Sequence, residues 1–300
     1  MQRLLVEHTT TYRYHRPVRF LPHRLMLRPR DSHDLRLHAA RLSVQPSAQL
    51  RWMYDVFGNS VAVATIEQES RSLTIRSALE IDRYPLAEHE VAIDPSARGL
   101  PFSYARNELP DLGETLKRHC PDPERVVIEW ARQWLDASDP RGGTKAFLEN
   151  LTRGIRDSFR YVERPEIGVQ SPIETIRLGS GSCRDFTLLM MESARAFGMA
   201  ARFVSGYLYD PSLDGQEGEV TGAGFTHAWA QVYLPAAGWI EFDPTNGAYG
   251  GRNLIPVSVA RTPEQAAPVS GAFTGATEDF DTMEVEVTVR SMQTLDEAAG

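Results

Sequence analysis

Residues 179–197 read GSGSCRDFTLLMMESARAF: a run of small residues, a cysteine, then apolar side chains at spacings of three and four. Phe186, Leu189, Met190, Ala194 and Phe197 fall on one stripe of an amphipathic helix that buries that stripe. Ser182, followed three residues later by Asp185, matches a capping box and makes Cys183 the first helical residue. The unpaired N–H groups and positive dipole end there favour a thiolate, whereas the nearby Asp185 carboxylate disfavours one. A cysteine at this position also serves as a small packing residue, so the choice between packing and chemistry passes to its partners.

Those partners lie in HAWAQVYLPAAGWIEFDP, residues 227–244. Period-two alternation makes two strands, with Ala228, Ala230, Val232, Ile240 and Phe242 on one face and His227, Trp229, Gln231, Glu241 and Asp243 on the other. A turn centred near Pro235 would set His227 opposite Asp243 and Trp229 opposite Glu241, close enough for a carboxylate to orient an imidazole. Cysteine catalysis needs a thiol, a base paired with it and a group that fixes the base; Cys183, His227 and Asp243 supply those types. Spacing alone does not set the helix start against the hairpin.

Upstream, residues 1–83 alternate short β-branched and apolar runs with turn signals, Gly58-Asn59 among them, and read as an antiparallel β domain. Its histidines lack metal-ligand spacing. Residues 84–122 form a connector rich in turn formers. Asp122-Pro123 reads as an N-cap and first helical residue, opening a helix that carries Trp130 and Trp134 on one core-facing side. A second helix follows the Gly142-Gly143 break, and the core runs from 123 to 260. Residues 201–209 read as a further strand; the tail, 261–300, holds a strand at 283–290.

The chain has 300 residues, a net charge of −8 and two cysteines, which argues against broad nucleic-acid or anionic-membrane binding and against a disulfide framework. The start lacks the apolar core of a signal peptide and no apolar run approaches a bilayer span, so the expected location is cytoplasmic.

The order GSGSCRDF, then GMAARFVSGYL, then HAWAQVYLPAAGWIEFDPTNG resembles the bacterial transglutaminase-like family, and residues 1–83 resemble the β domain that precedes its core. The resemblance implies an α+β fold: an N-terminal antiparallel β domain followed by a papain-like core of helices packed on an antiparallel sheet. It implies Cys183 as nucleophile, His227 as base and then acid, and Asp243 as orienting group, with the Cys183 helix against the sheet that carries the other two. Thr226 stands where a serine or another small polar residue is usual.

The expected activity is hydrolysis of an amide or peptide bond through a thioester, on a peptide or protein substrate, with no cofactor and no metal. The Cys183 N–H is a natural oxyanion donor, and Gln170 is a candidate for the second. Trp229 is a candidate substrate contact. Three alternatives stay open: transfer to an amine by the same triad, a non-catalytic peptide-binding module, and a metal held by Cys183, His227 and Asp243.

Overall fold

A computed structural model describes residues 1–84, 92–135, 143–164, 168–214, 221–222 and 224–292. Six strands come first: β1 (Gln2–Phe20), β2 (His23–Arg28), β3 (Leu35–Gln45), β4 (Ala48–Tyr54), β5 (Ser60–Ile66) and β6 (Ser70–Arg83). The β4–β5 hairpin turns where Gly58 takes a φ of +77°, a value glycine adopts without steric cost. Asp55 fixes that turn by accepting from the Phe57 and Asn59 N–H groups.

Three strands of the C-terminal segment return to this domain: β14 (Val269–Ser270), β15 (Phe273–Thr274) and β16 (Phe280–Ser291). One sheet runs β15–β1–β6–β3, with β16 also along β1, and the other runs β14–β2–β5–β4. The alternation in MEVEVTVR is thus met by antiparallel pairing of β16 with β1, from Leu4 opposite Ser291 to Tyr14 opposite Phe280. Tyr14, Phe20, Leu25, Leu73 and Ile75 fill the space between the two sheets.

Helices α1 (Leu109–Leu112), α2 (Val126–Arg132), α3 (Gly143–Ser158), α4 (Pro172–Leu178) and α5 (Cys183–Ala196) follow, with the two-residue strands β7 (Arg160–Tyr161) and β8 (Ser180–Gly181) paired in parallel between them. The core sheet runs β12 (Ala248–Tyr249), β11 (Gly238–Asp243), β10 (His227–Leu234), β9 (Ala201–Leu208) and β13 (Leu254–Ala260). Helix α2 starts later than Asp122-Pro123 suggests, because Arg125 adopts a left-handed φ of 59°. The Asp122 carboxylate still accepts from the Val127 N–H.

Helix α5 is buried nearly all round rather than along one stripe. It packs on β9 and β10 and is covered by α2, α3 and α4. Leu189, Met190, Met191 and Ala194 are fully enclosed, each large apolar side chain contributing about 1.5–3 kcal/mol. The polar Glu192 and Arg195 are buried as a 2.8 Å ion pair, and Glu192 also accepts from the His119 and Cys120 N–H groups. This network ties the connector to the helix.

The other face of the core sheet meets the N-terminal domain, where Tyr207, Tyr209 and Ile255 pack with Leu4, Val6 and Val289. Polar contacts fix the seam. Buried Arg83 donates to Leu254 O at 2.8 Å, and the Asn59 amide exchanges two hydrogen bonds with the Val259 backbone. Among the described residues, no helix is long and apolar enough to cross a membrane.

Candidate active site

Cys183 opens α5, as its place after Ser182 implies. The parallel pairing of β7 with β8 sets Tyr161 beside Gly181, two residues before the cysteine. Asp185 organises the helix start: its buried carboxylate accepts from the Ser182 N–H at 2.8 Å, the Ser182 hydroxyl at 2.9 Å and the Gln170 N–H at 2.7 Å. Arg164 Nη1 lies 2.8 and 2.9 Å from its two oxygens. The negative charge that would oppose a thiolate is therefore compensated where it sits.

The β10–β11 register differs from the expected one. Gln231 faces Glu241 and Ala230 faces Phe242, so each β10 residue meets one two positions further along β11 than a turn at Pro235 would give. The cause is the loop conformation: Ala236 at φ +68° and Gly238 at φ +76° centre the turn on Ala236. The expected pairs His227–Asp243 and Trp229–Glu241 do not form as direct neighbours. His227 instead reaches Asp243 diagonally, with Nε2 2.9 Å from Oδ2.

This contact leaves Nδ1 of His227 for the thiol side. Among the described residues Nδ1 makes no hydrogen bond, but Cys183 is close enough for its charge to act on the ring. Burial pulls His227 down, and the charge and hydrogen bond of Asp243, with smaller effects from Cys183, outweigh it and raise the imidazole to about 10. Burial pushes Asp243 up, and His227, Asn246 and the Thr245 N–H hold it below its ordinary value.

Trp229, expected as a substrate contact, is buried in the interior. It is fully enclosed with Val204, Leu208 and Leu254, and its ring lies 6.0 Å from His227 at 27°, supporting the imidazole from the interior side. Gln170 is half-buried. Its backbone serves Asp185 and its Oε1 accepts from the Thr175 hydroxyl at 3.3 Å, while its Nε2 makes no hydrogen bond among the described residues.

Sequence reasoning missed three contributors. Asn246 Nδ2 donates to Asp243 Oδ2 at 2.7 Å, and Asn246 Oδ1 accepts from the Thr221 N–H at 2.8 Å. A Cβ on Gly222 would lie 3.1 Å from His227 Nδ1 and 3.7 Å from the Tyr161 hydroxyl, so both groups border that glycine. Burial, and next the charge of Cys183, raise the Tyr161 phenol well above its ordinary value. Arg164 is the third. Only Asn246 had a local signal, since Asp243 followed at +3 by asparagine and then glycine is a turn pattern. Among the described residues no group of three or more His, Cys, Asp or Glu side chains is arranged to hold a metal ion.

Residues 4–82 match the bacterial transglutaminase-like N-terminal region and residues 130–244 match the transglutaminase-like superfamily. An uncharacterised protein of Mycobacterium tuberculosis is 30% identical over 282 residues, 90% of this chain and 87% of that one. A protein-glutamine gamma-glutamyltransferase of Pseudomonas aeruginosa is 26% identical over 190 residues, 59% of this chain and 24% of that one. A structure from Cytophaga hutchinsonii, described as a candidate cysteine protease, shares the fold with a TM-score of 0.70 at 16% identity, over 96% of this chain and 90% of that one. With both of its parts and a near full-length relative matched, the chain belongs to the bacterial transglutaminase-like family.

Proposed function

We propose that the protein is a cysteine-dependent amide or peptide hydrolase. The observation that carries this reading is the 2.9 Å contact of His227 Nε2 with Asp243, which commits one ring nitrogen to the carboxylate and leaves the other for Cys183 at the helix start. A raised imidazole of this kind holds a proton at neutral pH and favours a thiolate beside it. The thiolate attacks the substrate carbonyl carbon, and Nδ1 of His227 gives its proton to the departing amine as the C–N bond breaks. Water then adds to the thioester with His227 as base, releasing the acid and restoring the thiol. The Cys183 N–H, with Gln170 Nε2 as second donor, faces the developing oxyanion.

Transfer to an amine uses the same three residues, and the Pseudomonas relative's name supports that second reading. The first test is the rate of iodoacetamide alkylation of Cys183 from about pH 4 to about pH 9, with Cys120 as internal reference. Burial and then the charge of Glu192 raise Cys120 to about 11, so it alkylates slowly throughout. Fast alkylation of Cys183 on the acid side, lost in His227→Ala, supports the pair. A rate that tracks Cys120 on folded protein removes it and leaves a peptide-binding module. Mass analysis of glutamine peptides, with and without an added amine, then separates hydrolysis from transfer.

A further inference from the structure

The N-terminal β sandwich is open along one side. Strands β3 and β4 each end a sheet, and neither pairs beyond that edge among the described residues. Leu42, Val44, Ala48 and Leu50 close the lower part of the gap between them. Further along, the sheets splay: Trp52 is 45% and Tyr54 70% exposed, and Val56 beyond them is 92% exposed. A cleft of about 140 Å³ results, walled by Leu42, Leu50, Trp52 and Leu79, with Arg28 and Arg41 on its rim.

The charge around this cleft runs against that of the whole chain. Arg28 lies 5.9 Å over the Trp52 ring and Arg30 lies 5.2 Å over Tyr54, while Arg51 is exposed on β4 itself. Among the described residues none of Arg28, Arg30, Arg41 and Arg51 is ion-paired, whereas Arg3, Arg16 and Arg83 of the same region are. In a chain of net charge −8, Arg28 and Arg41 at the cleft, Arg30 over Tyr54 and Arg51 on the outer face of β4 make this edge locally cationic.

Each feature calls for a different complement. A free strand edge calls for backbone donors and acceptors at strand spacing, the cleft for an apolar side chain, and the rim for carboxylates. A second copy of this chain would bring the same arginines against one another, which costs energy. A nucleic acid or an anionic lipid surface offers negative charge but no amide ladder for the edge. We propose that β4 receives an extended acidic segment of a partner polypeptide as an added strand, with an apolar side chain in the cleft beside Trp52 and carboxylates on Arg28, Arg41 and Arg51. This surface is independent of the cysteine chemistry, so it stands or falls apart from the hydrolase reading.

The probe is a fluorescein-labelled peptide of about ten residues alternating glutamate and valine, a length that spans an ordinary strand, compared with its lysine–valine counterpart. Saturable binding of the acidic peptide to the full chain is expected, weakened about tenfold or more in Arg41→Glu/Arg51→Glu, because reversed rim charges repel the carboxylates. Amide hydrogen exchange should slow in residues 48–54 on peptide addition. The double variant must keep the wild-type circular dichroism spectrum; should it not, Trp52→Glu, which removes the apolar wall and adds a repelling carboxylate, replaces it with the same expectation. Equal binding of the lysine peptide, protection confined to residues around Cys183, absence of saturable binding, or a preference for oligothymidylate or phosphatidylserine vesicles over the acidic peptide would each overturn the proposal.

Discussion

Asn246 Nδ2 donates at 2.7 Å to the same Asp243 oxygen that receives His227 Nε2 at 2.9 Å. Two donors on one oxygen fix the direction of the carboxylate as well as its charge. The other oxygen accepts from the Thr245 and Asn246 N–H groups, so every acceptor direction of Asp243 is set by its own turn or by the imidazole. Asn246 also grips Thr221 through its Oδ1. Asn246 thus positions Asp243, and on the proposed hydrolase reading it positions His227 through that carboxylate.

Replacing Asn246 by Ala should slow alkylation of Cys183 about 10- to 100-fold at pH 6 while leaving the fold intact, because small misplacement of a reacting pair costs rate steeply. Asn246→Asp should be worse than Ala, since a second carboxylate would face Asp243. The check is the alkylation profile of both variants. Equal rates in wild type and Asn246→Ala would remove the positioning role.

Asp243 carries a pH signature. His227 is raised in the folded state to about 10. Its protonation therefore contributes stability that is fully present below the unfolded value of about 6.5 and is lost as pH rises through the folded value. Asp243 is lowered, so its contribution is present above the ordinary carboxylate value and is lost as pH falls through the folded one. Asp243→Asn should therefore unfold at a lower temperature than wild type near pH 7, with the gap narrowing as pH rises past about 10. Thermal unfolding at a series of pH values reads this directly. A gap independent of pH would show that Asp243 acts only through packing.

The start of α5 makes a separate stability claim. The Asp185 carboxylate serves two backbone N–H groups, one hydroxyl and Arg164, all from within the protein. Asp185→Ala leaves those donors without an acceptor and should cost about 3 kcal/mol. Denaturant unfolding measures it. A loss below about 0.5 kcal/mol, as at an ordinary surface position, would contradict the assignment of Asp185 as the hub of the helix start.

Much of this site was legible in the sequence because it rests on two short-range rules. Period-two alternation separated the faces of residues 227–243 correctly, and capping chemistry put Cys183 at the helix start. The register was not legible, because it depends on the left-handed backbone of Ala236, which alternation does not encode. The place of Trp229 was missed for a related reason: with β9 and β13 beside it, the second face of the sheet is also interior. Tyr161 and Arg164 reach the site through the β7–β8 pairing and the segment that directly continues β7, contacts that no local pattern announces.

Gly251 tests how tightly the buried face of the hairpin is filled. Its φ of +73° disfavours any side chain, and a Cβ there would lie 1.6 Å from Glu241 Oε2. Glu241 is itself enclosed, held by Gln231 at 3.2 Å and Arg83 at 3.8 Å, and burial raises its carboxyl. Gly251→Ala should destabilise the protein by about 2 kcal/mol or more, from left-handed strain and displacement of a buried acid together. Gly179→Ala, at φ +64° with open space around it, should show the strain alone. Equal losses in the two variants would mean that Glu241 yields freely.

Cys183 finally separates chemistry from packing. The side chain is 8% exposed and joins the main core cluster, so a purely structural role is a physical alternative. Cys183→Ala removes one sulfur at the rim of that cluster and should cost about 1 kcal/mol, well below the roughly 2–5 kcal/mol of Leu189→Ala at the centre of the same helix. Turnover and acyl-enzyme formation should vanish in the first variant, whereas the second should keep alkylation of Cys183 in whatever fraction stays folded. If Cys183→Ala instead unfolded as readily as Leu189→Ala, the thiol would be holding the helix in place, and the contact between His227 and Asp243 would need another purpose.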